Sequence, residues 1–207
     1  MNTPPTGRQR VLAAIRAANV HADAPEIPRA YHHTGEHAPG AEPLLDLFAD
    51  RLLDYRASVR RVTAGELAAA VAAALPDGPV LLPPDPPAAW GEIAGTRDDG
   101  TLTPHALDRF AAVVTGCALA CAETGTIALD GSAGQGRRAI TLVPDVHVCV
   151  VHAAQVVQTV PELLAGLSPT RPITLVSGPS ATSDIELQRV EGVHGPRTLI
   201  VVLVSDP

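Results

Sequence analysis

The sequence predicts an α/β fold, with a mostly parallel sheet flanked by helices and one antiparallel hairpin inserted. Two observations carry this. Short Val-, Leu- and Ile-rich runs alternate with stretches whose apolar residues recur at helical spacing, the order needed by parallel strands joined through crossover helices. Apolar residues make up 46% of the 207, yet aromatics only 2%, so the interior is built from aliphatic side chains rather than the stacked rings of many sandwiches.

Taken in order, "GRQRVLAAIRAAN" (7–19) carries Val11, Leu12, Ile15 and Ala18 at helical spacing. A His-, Pro- and Gly-rich stretch follows to residue 42 and reads as an irregular arm. This divides the chain into an N-terminal helix and arm, 1–43, and an α/β domain, 44–207. "LLDLFADRLLDY" (44–55) is helical in pattern and "SVRRV" (58–62) alternates like a strand. Thr63 with Glu66 forms a capping-box pattern ahead of the helix "LAAAVAAAL", and "PVLLP" (79–83) is a short buried strand. Residues 85–103 read as loop with one helical turn near Trp90. "FAAVVTG" (110–116), "TIALD" (126–130) and "AITLV" (139–143) read as strands, the last two joined by "DGSAGQGRR" as a hairpin with a mobile tip. "VHVCVVH" (146–152) is a strand, "AAQVVQTVPELLAGL" a helix interrupted near Pro161, "PITLVS" (172–177) a strand, "SDIELQRVEG" a helix and "TLIVVLV" (198–204) a final buried strand.

The net charge of −7, with Lys and Arg scattered rather than striped, argues against a nucleic-acid partner. No apolar stretch approaches the roughly 20 residues needed to span a bilayer, and the polar start carries no leader pattern, so a cytoplasmic protein is expected. Cys117, Cys121 and Cys149 contain no C-x-x-C pair and read as reduced core residues, with no metal site expected. Cys117 and Cys121 would share one face if their segment were helical.

Three places offer site chemistry. "AETGTIAL" sets Glu123 and Thr124 before an apolar strand, with Gly125 permitting an unusual turn; Glu123 is either a nucleophile or base, or a solvated loop residue. Arg137 and Arg138 either clamp a carboxylate or keep a loop tip hydrated. In "SGPSATSDIE", Ser183, Asp184 and Glu186 fit helix capping, which leaves Gly178, Pro179, Ser180 and Thr182 as candidate ligand contacts. The turn is expected at the carboxyl ends of the parallel strands, where open α/β sheets bind ligands. His194, between two glycines in "GVHGP", is either an acid/base group or a surface residue. No dinucleotide or NTPase phosphate loop is present.

As an ordered set, "AETGT", the Arg ahead of "LVPDVHV", "SGPSATSDIE" and "GVHGP" resemble the LUD domain family over roughly residues 45–207, and length and N-terminal helix are closest to its lactate-utilization C branch. The resemblance implies a fold of the sugar-isomerase and CoA-transferase (NagB/RpiA-like) group. It also implies a role in oxidising L-lactate to pyruvate beside partner subunits that carry iron-sulfur clusters, with no cofactor in this chain. It further places Glu123 through Thr126 (Thr124 and Gly125 between) near the Gly178–Glu186 turn, around one ligand pocket with His194 as a neighbour; the ligand expected there is a small-molecule anion, with Arg137 as a further candidate contact. The broader fold group suggests an alternative, a stand-alone CoA-transferase or isomerase-like enzyme using Glu123.

Overall fold

The computed structural model describes residues 4–20, 26–183, 189–191 and 195–205, with backbone alone over 181–183 and 189–191. The chain divides into two units, residues 1–31 and 32–207. In the first, helix α1 (Gly7–Ala18) is started by a capping box: the Thr6 N–H donates to Gln9 Oε1 at 2.7 Å and the Gln9 N–H to Thr6 Oγ1 at 3.3 Å.

The second unit is built on six parallel strands: β1 (Ser58–Val62), β2 (Val80–Leu82), β3 (Thr96–Arg97), β4 (Ala112–Thr115), β7 (Val146–His152) and β12 (Thr198–Val204), in the order β1-β12-β7-β4-β2-β3. Its centre is Val-rich because both faces are covered. On one face Val148, Val150, Val202 and Val204 pack under helix α3 (Leu67–Ala74) and Trp90. Thr63 and Glu66 start the single turn before α3 as the spacing predicts, with the Thr63 N–H donating to Glu66 Oε2 at 2.9 Å. Short helix α4 (Pro104–Leu107) buries Leu107 against Leu81 and Val113.

The opposite face carries a second, four-stranded sheet: β5 (Leu119–Cys121), β6 (Thr126–Leu129), β8 (Val156–Val157) and β9 (Thr174–Val176), ordered β8-β5-β6-β9. Ile127 and Leu129 of this sheet meet Cys149, Val151, Val201 and Leu203 of the first. Helix α2 (Glu42–Asp54) completes that core with Leu44, Leu45, Phe48 and Leu52. Burying Phe48 fully contributes about 2–3 kcal/mol. Arg61 ties α2 to β1 through Glu42 at 2.9 Å and Asp46 at 2.8 Å.

Four local expectations are corrected. "AITLV" is no strand: residues Arg138–Thr141 form a 3-10 turn in which the Ile140 N–H donates to Arg137 O and the Thr141 hydroxyl to Arg138 O, so no ladder forms and β6 pairs antiparallel with β5 and β9 instead. The loop 131–137 is stapled rather than mobile. Gln135 Oε1 accepts from the Asp130 and Gly131 N–H groups, the Gly134 N–H donates to Asp85 Oδ1 at 3.1 Å, and Gly134 O accepts from Gly116 at the end of β4. The helix expected from residue 153 starts only at α5 (Val160–Gly166), where the missing N–H of Pro161 is tolerated in the first turn and Thr159 and Glu162 cap it; β-branched Val156 and Val157 join β5 as an edge strand. The helix expected over 183–192 is replaced at its described ends by β10 (Ala181–Ser183) and β11 (Arg189–Glu191), an antiparallel pair whose ladder occupies the backbone groups a helix would use; Asp184 and Glu186 lie outside the described residues. Cys121 lies in β5 rather than on a helix, and all three cysteines are buried free thiols.

Candidate functional site

The "SGPS" turn (177–180) follows β9 of the second sheet, not a strand of the parallel sheet, so it does not lie at that sheet's carboxyl end. It closes instead on the first residues of β7 and β12, where His147 and Leu199 line a cavity of about 290 Å³ with Ser177–Ser180 and Arg138. Gly178 adopts φ +81, and a Cβ there would lie 2.6 Å from Tyr55 Cβ at the end of α2. The Ser180 N–H donates to Pro196 O at 2.8 Å, holding the turn to the segment before β12.

The two Gly-containing turns meet through hydroxyls. Thr124 Oγ1 lies 2.7 Å from Thr126 Oγ1, which lies 2.8 Å from Ser177 Oγ. Both turns rest on the end of α2, since a Cβ on Gly125 (φ +59) would lie 2.9 Å from Arg51 Cβ. Glu123 is not part of this cavity. It is exposed beside Arg51, Asp54 and Tyr55, its carboxylate accepting from Gln158 Nε2 at 3.3 Å. Pro179 and Ser180 line the cavity; Thr182 pairs with Val190 in β10; Asp184 and His194 lie outside the described residues.

The arginine pair divides its roles. Arg137 turns away to Asp98, with Nε donating to Oδ2 at 2.7 Å and Nη2 to Oδ1 at 3.1 Å, and Nη2 also donates to Leu102 O. Asp98 in turn strengthens the hold of Arg137 on its proton. Arg138 makes no side-chain hydrogen bond or ion pair among the described residues and lines both this cavity and an adjoining one of about 520 Å³. Among the described residues that line this cavity it is the cation without a counter-ion.

Sequence reasoning missed His147. It is 1% exposed, and burial pushes its pKa from 6.5 down to about 4, so the imidazole is neutral. Nε2 lies 2.7 Å from Thr115 Oγ1 on the neighbouring strand. No described residue bonds Nδ1, and His147 lines the cavity. The available signal was a histidine inside an otherwise apolar strand, where a titratable ring is costly to bury.

The match to known proteins follows this geometry, for the LUD domain model covers residues 56–204, from just before β1 through β12. The chain belongs to the LUD domain family. This LUD domain is 51% identical to lactate utilization protein C of Deinococcus radiodurans over 78% of the chain and 80% of that protein. It is 31% identical to lactate utilization protein C of Geobacillus kaustophilus, over 70% of the chain and 71% of the relative. A crystal structure of a DUF162 family protein from Deinococcus radiodurans superposes with a TM-score of 0.67 at 43% identity, covering 78% of this chain and 96% of that one. Among the described residues of this LUD domain no helix is long and apolar enough to cross a membrane, and no three His, Cys, Asp or Glu side chains gather as a metal site.

Proposed function

We propose that this chain serves lactate utilization as an anion-binding component beside partner subunits that carry iron-sulfur clusters, holding lactate or pyruvate in the cavity between Arg138, His147 and the Ser177–Ser180 turn. The observation that carries the reading is Arg138, a guanidinium at a cavity wall with no counter-ion among the described residues, suited to a bidentate carboxylate. The relatives' shared name supports the lactate context. Neutral His147 would hydrogen-bond the 2-hydroxyl or 2-oxo group without ionising, and Ser177 supplies a further hydroxyl. Oxidation of lactate releases two electrons and two protons. The electrons are assigned to the partners, since Cys117 is kept a thiol by hydrogen bonding to Cys149 and by burial, and no cluster-type cysteine spacing occurs. Nothing in the geometry favours Glu123 as an acyl acceptor: its side chain is exposed and outside the cavity.

The experiment is reconstitution with candidate iron-sulfur subunits and L-lactate-dependent reduction of an artificial acceptor. Omitting this chain, or supplying Arg138→Gln, is expected to lower the rate by at least about 10-fold. Full turnover without the chain would end the reading.

A further inference from the structure

The adjoining cavity, about 520 Å³, is lined by Arg137, Arg138 and Arg171, with Asp130, Gln135 and Gly136. Two of the three guanidiniums are matched by carboxylates: Arg137 by Asp98, whose side chain is 3% exposed, and Arg171 by Asp130, at 3.2 Å. Arg138, the third, has no carboxylate partner among the described residues, and the field of Asp99 also reaches Arg137. Asp130 is itself fixed. Burial raises its pKa, but Ser132 and Arg171 outweigh that and hold it below the usual carboxylate range, so it stays ionised and orients Arg171.

The donor inventory then points to a particular ligand chemistry. Among the described residues none takes up the five guanidinium N–H groups of Arg138, and Arg171, half exposed, offers the four not used on Asp130. A carboxylate has two oxygens and one charge, which a single arginine fork already engages bidentately, so a second fork would have to share them. A phosphate monoester presents three terminal oxygens and roughly −1.5 to −2 charge near neutral pH, and arginine forks match it bidentately. Size points the same way. This cavity alone falls within the roughly 300–1,000 Å³ of sites for drug-sized ligands, and it shares Arg138, Thr141 and Thr174 with the first cavity. A three-carbon acid would leave most of it empty.

We propose that the cavity bounded by Arg138 and Arg171 binds the phosphoryl group of a small organic phosphate, with the organic body lying along the cleft. This shares Arg138 with the carboxylate reading but stands on a separate cavity, and Arg171 distinguishes the two because it lines only the second.

The test is calorimetric titration of the purified full chain, at low ionic strength, with adenosine 5′-monophosphate, glycerol 3-phosphate, their unphosphorylated parents, inorganic phosphate and pyruvate. At least one ester is expected to bind about 10-fold or more tightly than its parent and than inorganic phosphate. Arg171→Gln is expected to weaken that ester about 10-fold, with Arg171→Lys recovering only part, while pyruvate affinity stays within about twofold. An unchanged melting midpoint in Arg171→Gln establishes that the variant is folded. Equal affinity for esters and parents, inorganic phosphate binding as tightly as the esters, or ester affinity unmoved by Arg171→Gln would overturn the proposal. Pyruvate failing while an ester binds would remove the carboxylate reading and leave this one standing; the converse result would do the opposite.

Discussion

Lowering the pH from 7 to 5 should destabilise the α/β unit through one residue. His147 titrates near 6.5 when unfolded and at about 4 when folded, because burial disfavours its charged form. Between those values the unfolded chain binds a proton that the native chain refuses, so stability falls as pH falls. At about 1.4 kcal/mol per pH unit inside that window, linkage gives a loss of about 2 kcal/mol from pH 7 to 5 and about 3 kcal/mol once pH 4 is passed. Asp130 and Glu162, both held below the usual carboxylate range, contribute stability that is lost only as pH falls below about 4.5, so the upper window isolates the histidine. The assay is urea denaturation at pH 7, 6 and 5 for the native chain and for His147→Asn. The difference between the two unfolding free energies should shrink or invert by about 2 kcal/mol toward pH 5. Parallel pH profiles for the two proteins would refute the claim that His147 is buried and neutral.

Other perturbations test the supports of the site. Gly178→Ala places a Cβ against Tyr55 at φ +81 and should cost about 1–3 kcal/mol, read as a lower melting midpoint. Arg137→Gln removes the fork from Asp98 and leaves a buried carboxylate unpaired, so a loss of about 3 kcal/mol in urea unfolding at pH 7 is expected, against under 1 kcal/mol for an ordinary surface pair. Gln135→Ala strips the acceptor from two backbone N–H groups of the Gly-rich loop; a loss of about 1–3 kcal/mol and faster amide exchange at Asp130 and Gly131 should follow.

The parallel sheet was legible where strands are buried on both faces. The runs 146–152 and 198–204 became β7 and β12 without a shifted end, since buried runs of mostly Val, Leu and Ile leave few alternatives, whereas 58–62 became the edge strand β1 from its alternation, with Ser58, Arg60 and Arg61 exposed. Legibility failed where short-range hydrogen bonds or long-range pairing decided the backbone. "AITLV" has strand composition, but Thr141 turned it into a 3-10 segment; residues 189–191 have helical spacing, but pair with 181–183. At the site, the turn at 177–180 could be located from its residues, and the hydroxyl contact between Thr126 and Ser177 joins two of the predicted pieces. The choice between Arg137 and Arg138 could not be read from adjacent identical side chains, because it is made by Asp98, some 40 positions upstream. His147 was hidden by its apolar neighbours, and only the register beside Thr115 gives it a polar partner.

The most direct measurement is the affinity of the purified chain for pyruvate in three forms: native, Arg138→Gln and Glu123→Gln. Saturable one-site binding that weakens about 10-fold or more in Arg138→Gln and is unchanged in Glu123→Gln is the expected result. Binding lost in Glu123→Gln and retained in Arg138→Gln would contradict it, moving the site from the cavity to the exposed turn.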